Sequence, residues 1–313
     1  MSQNNLILSI DGGGSKTDFL IADVEKYIIY ERSGPGSNPN FYGSFGIKNL
    51  IDVLINMFES NGINKDKVKS VILGLAGISN KKYSKSLNDF FKNYFPKKKI
   101  ILTSDAELAH KTIWGNDKGT TLLVGTGSIG ISNSNENKEF IISGGLGFDQ
   151  NDIGGGYWIA KTLILFLISN KGFEDNTSYK ELIELVKEHY DKNNFDEVLD
   201  YSLGDEGRFG LANLSPKIIK LAEIGNEIAY KICDDGCDGL KEIVMDLKSK
   251  NNIFDKIGIH GSLILKNEFY RKMLFSKLID IDWKKSNHKA VFGGLSILEN
   301  INPNNYKKFI NHG

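Results

Sequence analysis

The chain contains one local pattern twice: a strand-like segment, a glycine-rich turn and a second strand-like segment. In the first copy, residues 11–17 (Asp-Gly-Gly-Gly-Ser-Lys-Thr) separate the apolar residues 6–10 from the apolar residues 19–24. In the second copy, residues 125–128 (Gly-Thr-Gly-Ser) separate two further segments of the same kind. Short apolar segments bounded by glycine turns are typical of paired β-strands. The repetition therefore predicts two lobes of similar construction.

Helical and strand-like segments alternate between the two turns. Residues 47–60 carry apolar side chains at helical spacing, whereas residues 71–76 form a continuous apolar run typical of a buried strand. Residues 156–250 are mainly helical in pattern. This alternation predicts the α/β fold class with a mixed sheet.

A polar turn at residues 115–119 separates the two copies of the pattern. The chain has 313 residues, enough for two domains that each bury a hydrophobic core. We predict that residues 1–118 and a C-terminal helix at 296–313 form one lobe. Residues 119–295 form the other, and the active site lies in the cleft between them.

Composition excludes several classes of protein. Lys plus Arg and Asp plus Glu both number 39, so no basic surface for nucleic acid is indicated. The longest apolar segment, residues 159–168, is interrupted by Lys161 and is too short to span a membrane. The two cysteines, Cys233 and Cys237, support neither a disulfide framework nor a four-ligand zinc site. With a polar start that lacks a basic signal-peptide region, the chain is expected to be cytoplasmic.

The first glycine turn has the composition of a phosphate-binding loop. Its glycines allow backbone N–H groups to approach phosphate oxygens, and Asp11 at the strand end is suited to binding Mg²⁺. The spacing is neither that of a P-loop nor that of a dinucleotide fingerprint. A simple tight hairpin is the other interpretation. The second turn favours phosphate binding, because one such loop in each lobe can hold a polyphosphate from both sides.

Two acidic residues are candidates for the reaction itself. Asp105 follows a strand-like segment and begins a predicted helix, so it is either a general base, a helix N-cap or both. Asp152 lies in an unusually glycine-rich stretch before another helix. It is either a second carboxylate of the active site or a residue of a surface loop.

Nine short segments, in a fixed order along the chain, carry a resemblance to a known family. They are residues 11–17, 37–38 (Ser-Asn), 74–77 (Gly-Leu-Ala-Gly), 103–106 (Thr-Ser-Asp-Ala), 125–128, 144–147 (Gly-Gly-Leu-Gly), 151–154 (Asn-Asp-Ile-Gly), 261–262 (Gly-Ser) and 293–294 (Gly-Gly). Together they resemble the N-acetylglucosamine kinase family. This is the sugar-kinase branch of the BadF/BadG/BcrA/BcrD-type ATPases in the actin–hexokinase–Hsp70 superfamily.

The resemblance implies two actin-like, ribonuclease H-like lobes, ATP and Mg²⁺ as cofactors, and an amino sugar phosphorylated at a primary hydroxyl. It implies that Asp105 is the catalytic base and that Asp11 holds the metal. The implied substrate-binding residues are Asn38, Ala76, Gly77, Gly127, Ser128, Gly144, Gly145 and Asp152. The implied nucleotide-binding residues are Gly12, Gly13, Gly14, Ser15, Lys16, Thr17, Gly125, Thr126, Gly127, Gly261 and Ser262. A homodimer is expected on the same ground.

Two positions depart from the family pattern. Leu146 stands where tryptophan is usual and Ile153 where glutamate is usual, and both border the expected sugar site. N-acetylglucosamine and N-acetylmuramic acid are the expected substrates, with glucosamine as an alternative. Two further hypotheses stay open: an ATPase that drives conformational change in a partner protein, and a non-catalytic sugar sensor.

Overall fold

The structure is a computed structural model that describes residues 5–133, 139–147, 152–171, 175–204, 207–250 and 256–312. The strands are β1 (Leu6–Gly12), β2 (Lys16–Asp23), β3 (Ile28–Pro35), β4 (Val68–Leu75), β5 (Lys99–Thr103), β6 (Gly119–Val124), β7 (Ser128–Asn133), β8 (Ile141–Gly144), β9 (Lys256–His260), β10 (Asp282–Lys285) and β11 (Ile310–Asn311). The longer helices are α2 (Ser44–Ser60), α3 (Lys81–Tyr94), α4 (Asp105–Trp114), α5 (Gly156–Ser169), α6 (Thr177–Tyr190), α7 (Phe195–Leu203), α9 (Ser215–Glu223), α10 (Glu227–Lys250) and α12 (Glu268–Ser276). The short ones are α1 (Pro39–Tyr42), α8 (Arg208–Leu211), α11 (Ser262–Lys266) and α13 (Gly293–Glu299).

The chain divides into two compact units. The first comprises Met1–Lys118 with Ser286–Gly313, and the second comprises Gly119–Lys285. Residues 286–295 thus lie in the first unit, whereas the prediction assigned them to the second lobe. They do so because Gly294 lies against the Ser9 side chain of β1, and because the Ser9 hydroxyl donates to the carbonyl of Val291 at 2.7 Å.

The first unit is built on a six-stranded sheet in the order β11-β3-β2-β1-β4-β5. Strands β1, β2 and β3 are antiparallel neighbours, while β4 pairs with β1, and β5 with β4, in parallel. Because successive side chains of a strand face opposite sides, β1 contributes to two cores. Leu8 and Ile10 join the core that contains residues of α2 and α3, whereas Ile7 joins the one that contains Leu295 of α13.

The second unit repeats this connectivity in a five-stranded sheet of order β10-β9-β6-β7-β8. Strands β6, β7 and β8 form an antiparallel meander, and β9 pairs in parallel with β6, then β10 with β9. Both units therefore begin with an antiparallel hairpin closed by a glycine turn and add parallel strands on the other side. The predicted α/β class and the predicted two similar lobes are confirmed.

The predicted C-terminal helix is wrong beyond its first turn. Helix α13 ends at Glu299, because Asn300 adopts a left-handed conformation with φ 55°. The chain continues as a short 3₁₀ helix, Pro303–Lys308, and as β11, which adds to the edge of the first sheet beside β3. Within the described residues no helix is both long and apolar enough to cross a membrane.

Candidate active site

Backbone hydrogen bonds fix the first glycine turn against two neighbouring segments. The carbonyl of Gly13 accepts N–H groups from Ser37 and Asn38, at 3.1 and 3.2 Å. The carbonyl of Gly12 accepts the N–H of Ala76 at 2.8 Å. The predicted sugar-binding residues Asn38 and Ala76 are thereby attached to the predicted phosphate turn.

Close packing explains why Gly12 and Gly77 are glycines. A Cβ on Gly12 would overlap the Ser37 hydroxyl, so no side chain fits there. Gly77 has φ +75°, and a Cβ there would lie 2.9 Å from Oδ1 of Asn38. The Oδ1 atom of Asn38 also accepts the N–H of Asn40 as the N-cap of α1. Asn38, Ala76, Gly77 and the first turn thus form one packed cluster.

Three carboxylates and one lysine surround the end of β1. Asp11 lies directly opposite Asp18 in the β1–β2 pairing. Burial, followed by the negative charges of Asp105 and Asp18, raises the pKa of Asp11 well above its usual range, while Lys16 acts in the opposite direction. Asp18 itself is buried and accepts hydrogen bonds from Lys16 and Ser33. Carboxylate oxygens are ligands that Mg²⁺ prefers, so Asp11, with the negative charge around it, fits the predicted metal-binding role.

Asp105 is the first residue of α4, and its neighbour Ser104 is the N-cap. The Ser104 hydroxyl accepts the N–H of Glu107 at 3.1 Å, so the capping function belongs to Ser104 rather than to Asp105. Gly74 of β4 allows close packing here, because a Cβ would lie 3.1 Å from the Ser104 carbonyl. The first turn of a helix also stabilises negative charge, and Asp105 lies in the first turn of α4.

The second glycine turn is supported by the start of a helix. The carbonyls of Gly125 and Thr126 accept the N–H groups of Gly156 and Tyr157, the first residues of α5, each at 2.9 Å. Within the turn, the N–H of Gly125 donates to the carbonyl of Gly127 at 2.9 Å. The partial positive charge of the α5 N-terminus therefore lies directly behind this turn.

Asp152 connects the second turn to the Gly144–Gly147 segment through main-chain contacts. The carboxylate accepts the N–H of Gly147 at 3.2 Å, with further backbone donors at Ser128 and Leu146. Burial raises the pKa of Asp152, and these hydrogen bonds lower it. A Cβ on Gly127 would overlap the carboxylate. The structure thus brings the predicted residues Gly127, Ser128, Gly145 and Asp152 together, with Gly145 donating its N–H to the Ser128 carbonyl at 3.0 Å.

The two departures from the family pattern differ in their surroundings. Leu146 is 69% exposed. The Ile153 side chain packs against Gly239 in the middle of α10, where a Cβ would overlap it. Ile153 therefore fills the notch on the surface of α10 that Gly239 leaves by lacking a side chain. Asn151, the first residue of that segment, lies outside the described residues.

The predicted adenosine-side turn lies next to the second turn. Gly261 has φ +104°, and a Cβ there would lie within 2.6 Å of the carbonyl carbon of Val124, the last residue of β6. Ser262 begins α11 directly afterwards. The pair Gly293 and Gly294, in contrast, packs within the first unit against α4 and β1.

Two features of the site were not predicted from the sequence: Asp18, and the hydrogen bonds from the start of α5 to the second turn. The signal for Asp18 was present, because it lies two residues after Lys16 and so shares a face of the strand with it. No local signal links residues 125–126 to residues 156–157, since that contact depends on the tertiary fold.

Each unit thus combines a sheet, a glycine turn between antiparallel strands and polar groups at the strand ends, an arrangement that fits an α/β protein that binds phosphate. The chain belongs to the BadF/BadG/BcrA/BcrD ATPase family, which matches residues 8–293.

Individual relatives carry more specific names. A glucosamine kinase of Vibrio cholerae is 24% identical over 264 residues, covering 83% of this chain and 85% of the relative. An N-acetylmuramic acid/N-acetylglucosamine kinase of Clostridium acetobutylicum is 28% identical over 152 residues, covering 48% and 49% of the two chains.

A solved structure from Chromobacterium violaceum, provisionally named an N-acetylglucosamine kinase, shares the fold. It superposes with a TM-score of 0.75 at 17% identity and covers 94% of this chain and 99% of its own. The similarity confirms the predicted two-lobed fold.

Proposed function

We propose that this protein is an ATP- and Mg²⁺-dependent kinase that phosphorylates an amino sugar at its primary hydroxyl. N-acetylglucosamine and N-acetylmuramic acid are the proposed acceptors, and the products are their 6-phosphates. The observation that carries the proposal is the position of Asp105 at the start of α4. It lies close enough to Asp11 to raise the pKa of that group, and Ser104 takes the capping function instead.

Asp105 is the proposed general base. As the sugar oxygen forms its bond to the γ-phosphorus of ATP, the hydroxyl proton passes to the Asp105 carboxylate and the bond to the ADP oxygen breaks. Asp11 and the first turn would hold Mg²⁺, which supplies positive charge to offset the charge that develops on the phosphates. The backbone of both turns is proposed to position the phosphates.

The sugar is proposed to contact Asn38 and the Ala76–Gly77 segment of the first unit. Asn38 caps α1 with Oδ1, which leaves the opposite end of its amide, Nδ2, as the group suited to donate to a sugar oxygen. The Gly144–Gly145 segment and Asp152 are the proposed contacts from the second unit. A hydrogen-bonding site of this kind discriminates strongly against analogues that lack a matching group.

Glucosamine is the second candidate acceptor, because the Vibrio cholerae relative that covers most of this chain carries that name. The two candidates differ at the nitrogen on C2, which is a cationic amine in glucosamine and a neutral amide in N-acetylglucosamine. We further propose that the protein is cytoplasmic and dimeric. Static light scattering of the purified protein tests the dimer.

A panel of acceptors tests the function. ADP release should be measured with Mg²⁺-ATP alone and with N-acetylglucosamine, N-acetylmuramic acid, glucosamine or glucose, and the product identified by ³¹P NMR. We expect ADP release to depend on an N-acetylated sugar and a 6-phosphate to accumulate. ATP hydrolysis at the same rate without sugar would instead support an ATPase that acts on a partner protein. Turnover confined to glucosamine or glucose would refute the proposed acceptor.

A further inference from the structure

Two buried tyrosines donate hydrogen bonds to backbone carbonyls next to proposed sugar-binding residues. Each tyrosine lies on a helix far along the chain from the carbonyl that it binds. In the first unit the Tyr83 hydroxyl donates to the carbonyl of Ser37 at 2.6 Å. In the second unit the Tyr270 hydroxyl donates to the carbonyl of Gly154 at 2.9 Å. Ser37 directly precedes Asn38, and Gly154 lies two residues after Asp152.

Tyr83 connects the Ser37–Asn38 segment to the Ala76–Gly77 segment through a chain of hydrogen bonds. It is the third residue of α3, and its N–H donates to the N-cap Asn80. The N–H of Asn80 in turn donates to the carbonyl of Gly77 at 3.0 Å. The helix that delivers the tyrosine hydroxyl is therefore attached to the Ala76–Gly77 segment, so Tyr83 links both proposed sugar-binding segments of this unit.

Tyr270 acts on a segment with little freedom to move. Gly154 has φ +81°, and a Cβ there would lie within 2.6 Å of Leu240 in α10. The Ser128 hydroxyl donates to the carbonyl of Ile153 at 2.8 Å, and the Ile153 side chain fills the notch at Gly239. The Tyr270 hydroxyl is the third attachment, and together they fix the backbone that carries Asp152.

Both hydroxyls are reliable donors in physiological conditions. Burial raises the pKa of Tyr83 to about 12, and burial raises the pKa of Tyr270 well above its usual range. A buried carbonyl that loses its donor is destabilised, so its segment moves to find another partner.

We propose that Tyr83 and Tyr270 are positioning residues that set the affinity for the sugar without touching it. This inference rests on the proposed function, because it concerns the segments proposed to bind the acceptor. Neither tyrosine is proposed to act on the nucleotide.

Replacement by phenylalanine removes only the hydroxyl in each case. Tyr83→Phe and Tyr270→Phe should each raise KM for the sugar by about three- to tenfold, in line with the usual worth of one buried hydrogen bond. KM for ATP should change by a smaller factor than KM for the sugar, because each hydroxyl bonds a proposed sugar segment directly and reaches a glycine turn only through further backbone hydrogen bonds.

The chain offers a closely matched control. Tyr179 is also the third residue of a helix with an asparagine N-cap, and it is buried and donates to the carbonyl of Leu167 at 3.0 Å. Tyr179→Phe should lower the thermal stability by an amount similar to the other two variants and leave both KM values unchanged. Equal changes of sugar KM in all three variants, or none in any, would overturn the inference.

Amide hydrogen exchange separates this inference from the proposed function. Tyr83→Phe should speed exchange in residues 36–40, and Tyr270→Phe in residues 152–158, with Tyr179→Phe changing neither. If the wild-type protein phosphorylates no sugar, the proposed function fails, and exchange at these two segments still tests whether the tyrosines hold them. Exchange that matches the wild type in both variants would show that the hydroxyls position nothing.

Discussion

The two glycine turns have the same place in their sheets and different surroundings. The first lies among charged side chains: Asp11, Asp18 and Asp105 with Lys16. The second is bound mainly by main-chain groups, since its carbonyls accept the first N–H groups of α5 and the neighbouring carboxylate of Asp152 accepts backbone N–H groups. The same local motif is therefore surrounded by charged side chains in one unit and mainly by main-chain groups in the other.

This comparison predicts that the largest loss of turnover comes from the first unit. Asp105→Asn keeps the size of the side chain but removes the base, so kcat should fall about 100- to 10,000-fold. Sugar affinity, measured by calorimetry, should change little because an amide oxygen still accepts a hydrogen bond. Ser104→Ala is the control: it removes the cap, should lower stability by about 1 kcal/mol, and should leave most turnover in place. An Asp105→Asn protein that keeps more than a tenth of its activity would show that Asp105 is not the base.

Two alanine substitutions examine the second turn. A Cβ on Gly125 meets no atom within 4 Å, whereas a Cβ on Gly127 would overlap the Asp152 carboxylate. Gly125→Ala should therefore fold normally and raise KM for ATP roughly 5- to 150-fold, the range expected for about 1–3 kcal/mol of steric conflict. Gly127→Ala should also lower the melting temperature and raise KM for the sugar. A Gly125→Ala protein with unchanged kinetics would mean that phosphate does not approach this turn.

A smaller effect is expected at Lys16, whose side chain is 54% exposed and paired with Asp18. Lys16→Met should raise KM for ATP about three- to tenfold, because an exposed charge contributes modestly to binding. Lys26→Met is the matched control, since Lys26 also pairs with an aspartate in this unit, Asp23, at 3.7 Å. Equal kinetics in both variants would remove Lys16 from the nucleotide site.

The smallest predicted effect is a gain in thermal stability. It is expected for Asp11→Asn, which should lose function at the same time. Folding raises the pKa of Asp11, so this group favours the folded state most below its unfolded pKa of about 3.9, and that contribution is lost as pH rises through the folded pKa. Asp11→Asn should therefore raise the melting temperature at neutral pH, by roughly 2–4 °C for each kcal/mol relieved, while abolishing stabilisation by Mg²⁺-ATP. The gain should grow from pH 4 to pH 8 in scanning calorimetry. Asp23→Asn should lower the melting temperature instead, because its amide nitrogen would replace the Oδ2 atom that accepts a hydrogen bond from Asn5 at 3.2 Å.

Local chemistry made much of this molecule predictable. The two hairpins, the alternation of helices with strands and the start of α4 depend on neighbouring residues, such as glycines in turns and a serine before Asp105. The clustering of Asn38 with Ala76 and Gly77 was predicted from the family resemblance. Their roles with ligands, and those of the other site residues, stay predictions.

The features that escaped prediction depend on contacts between distant residues. Tyr83 and Ser37 are 46 positions apart in the sequence, and Tyr270 and Gly154 are 116 apart. No local sequence pattern therefore predicts either hydrogen bond. Two glycines of α10 did offer a signal, because glycine within a helix is costly and indicates close packing: a Cβ on Gly236 would lie 2.7 Å from the Tyr270 hydroxyl, and one on Gly239 would overlap Ile153. The helix predicted at 296–313 failed at Asn300, where one left-handed residue ends it.

Helix α5 also affects how sequences of this kind can diverge. Its first residue is preceded by Gly155, which provides no side-chain cap, and its first turn carries no acidic side chain. The electric field at its N-terminus arises from peptide dipoles, which no single substitution removes as long as the helix forms. The support that α5 gives to the second turn is thus inherited with the backbone. The charges around the first turn belong to separate side chains, so drift in sequence can alter them one residue at a time.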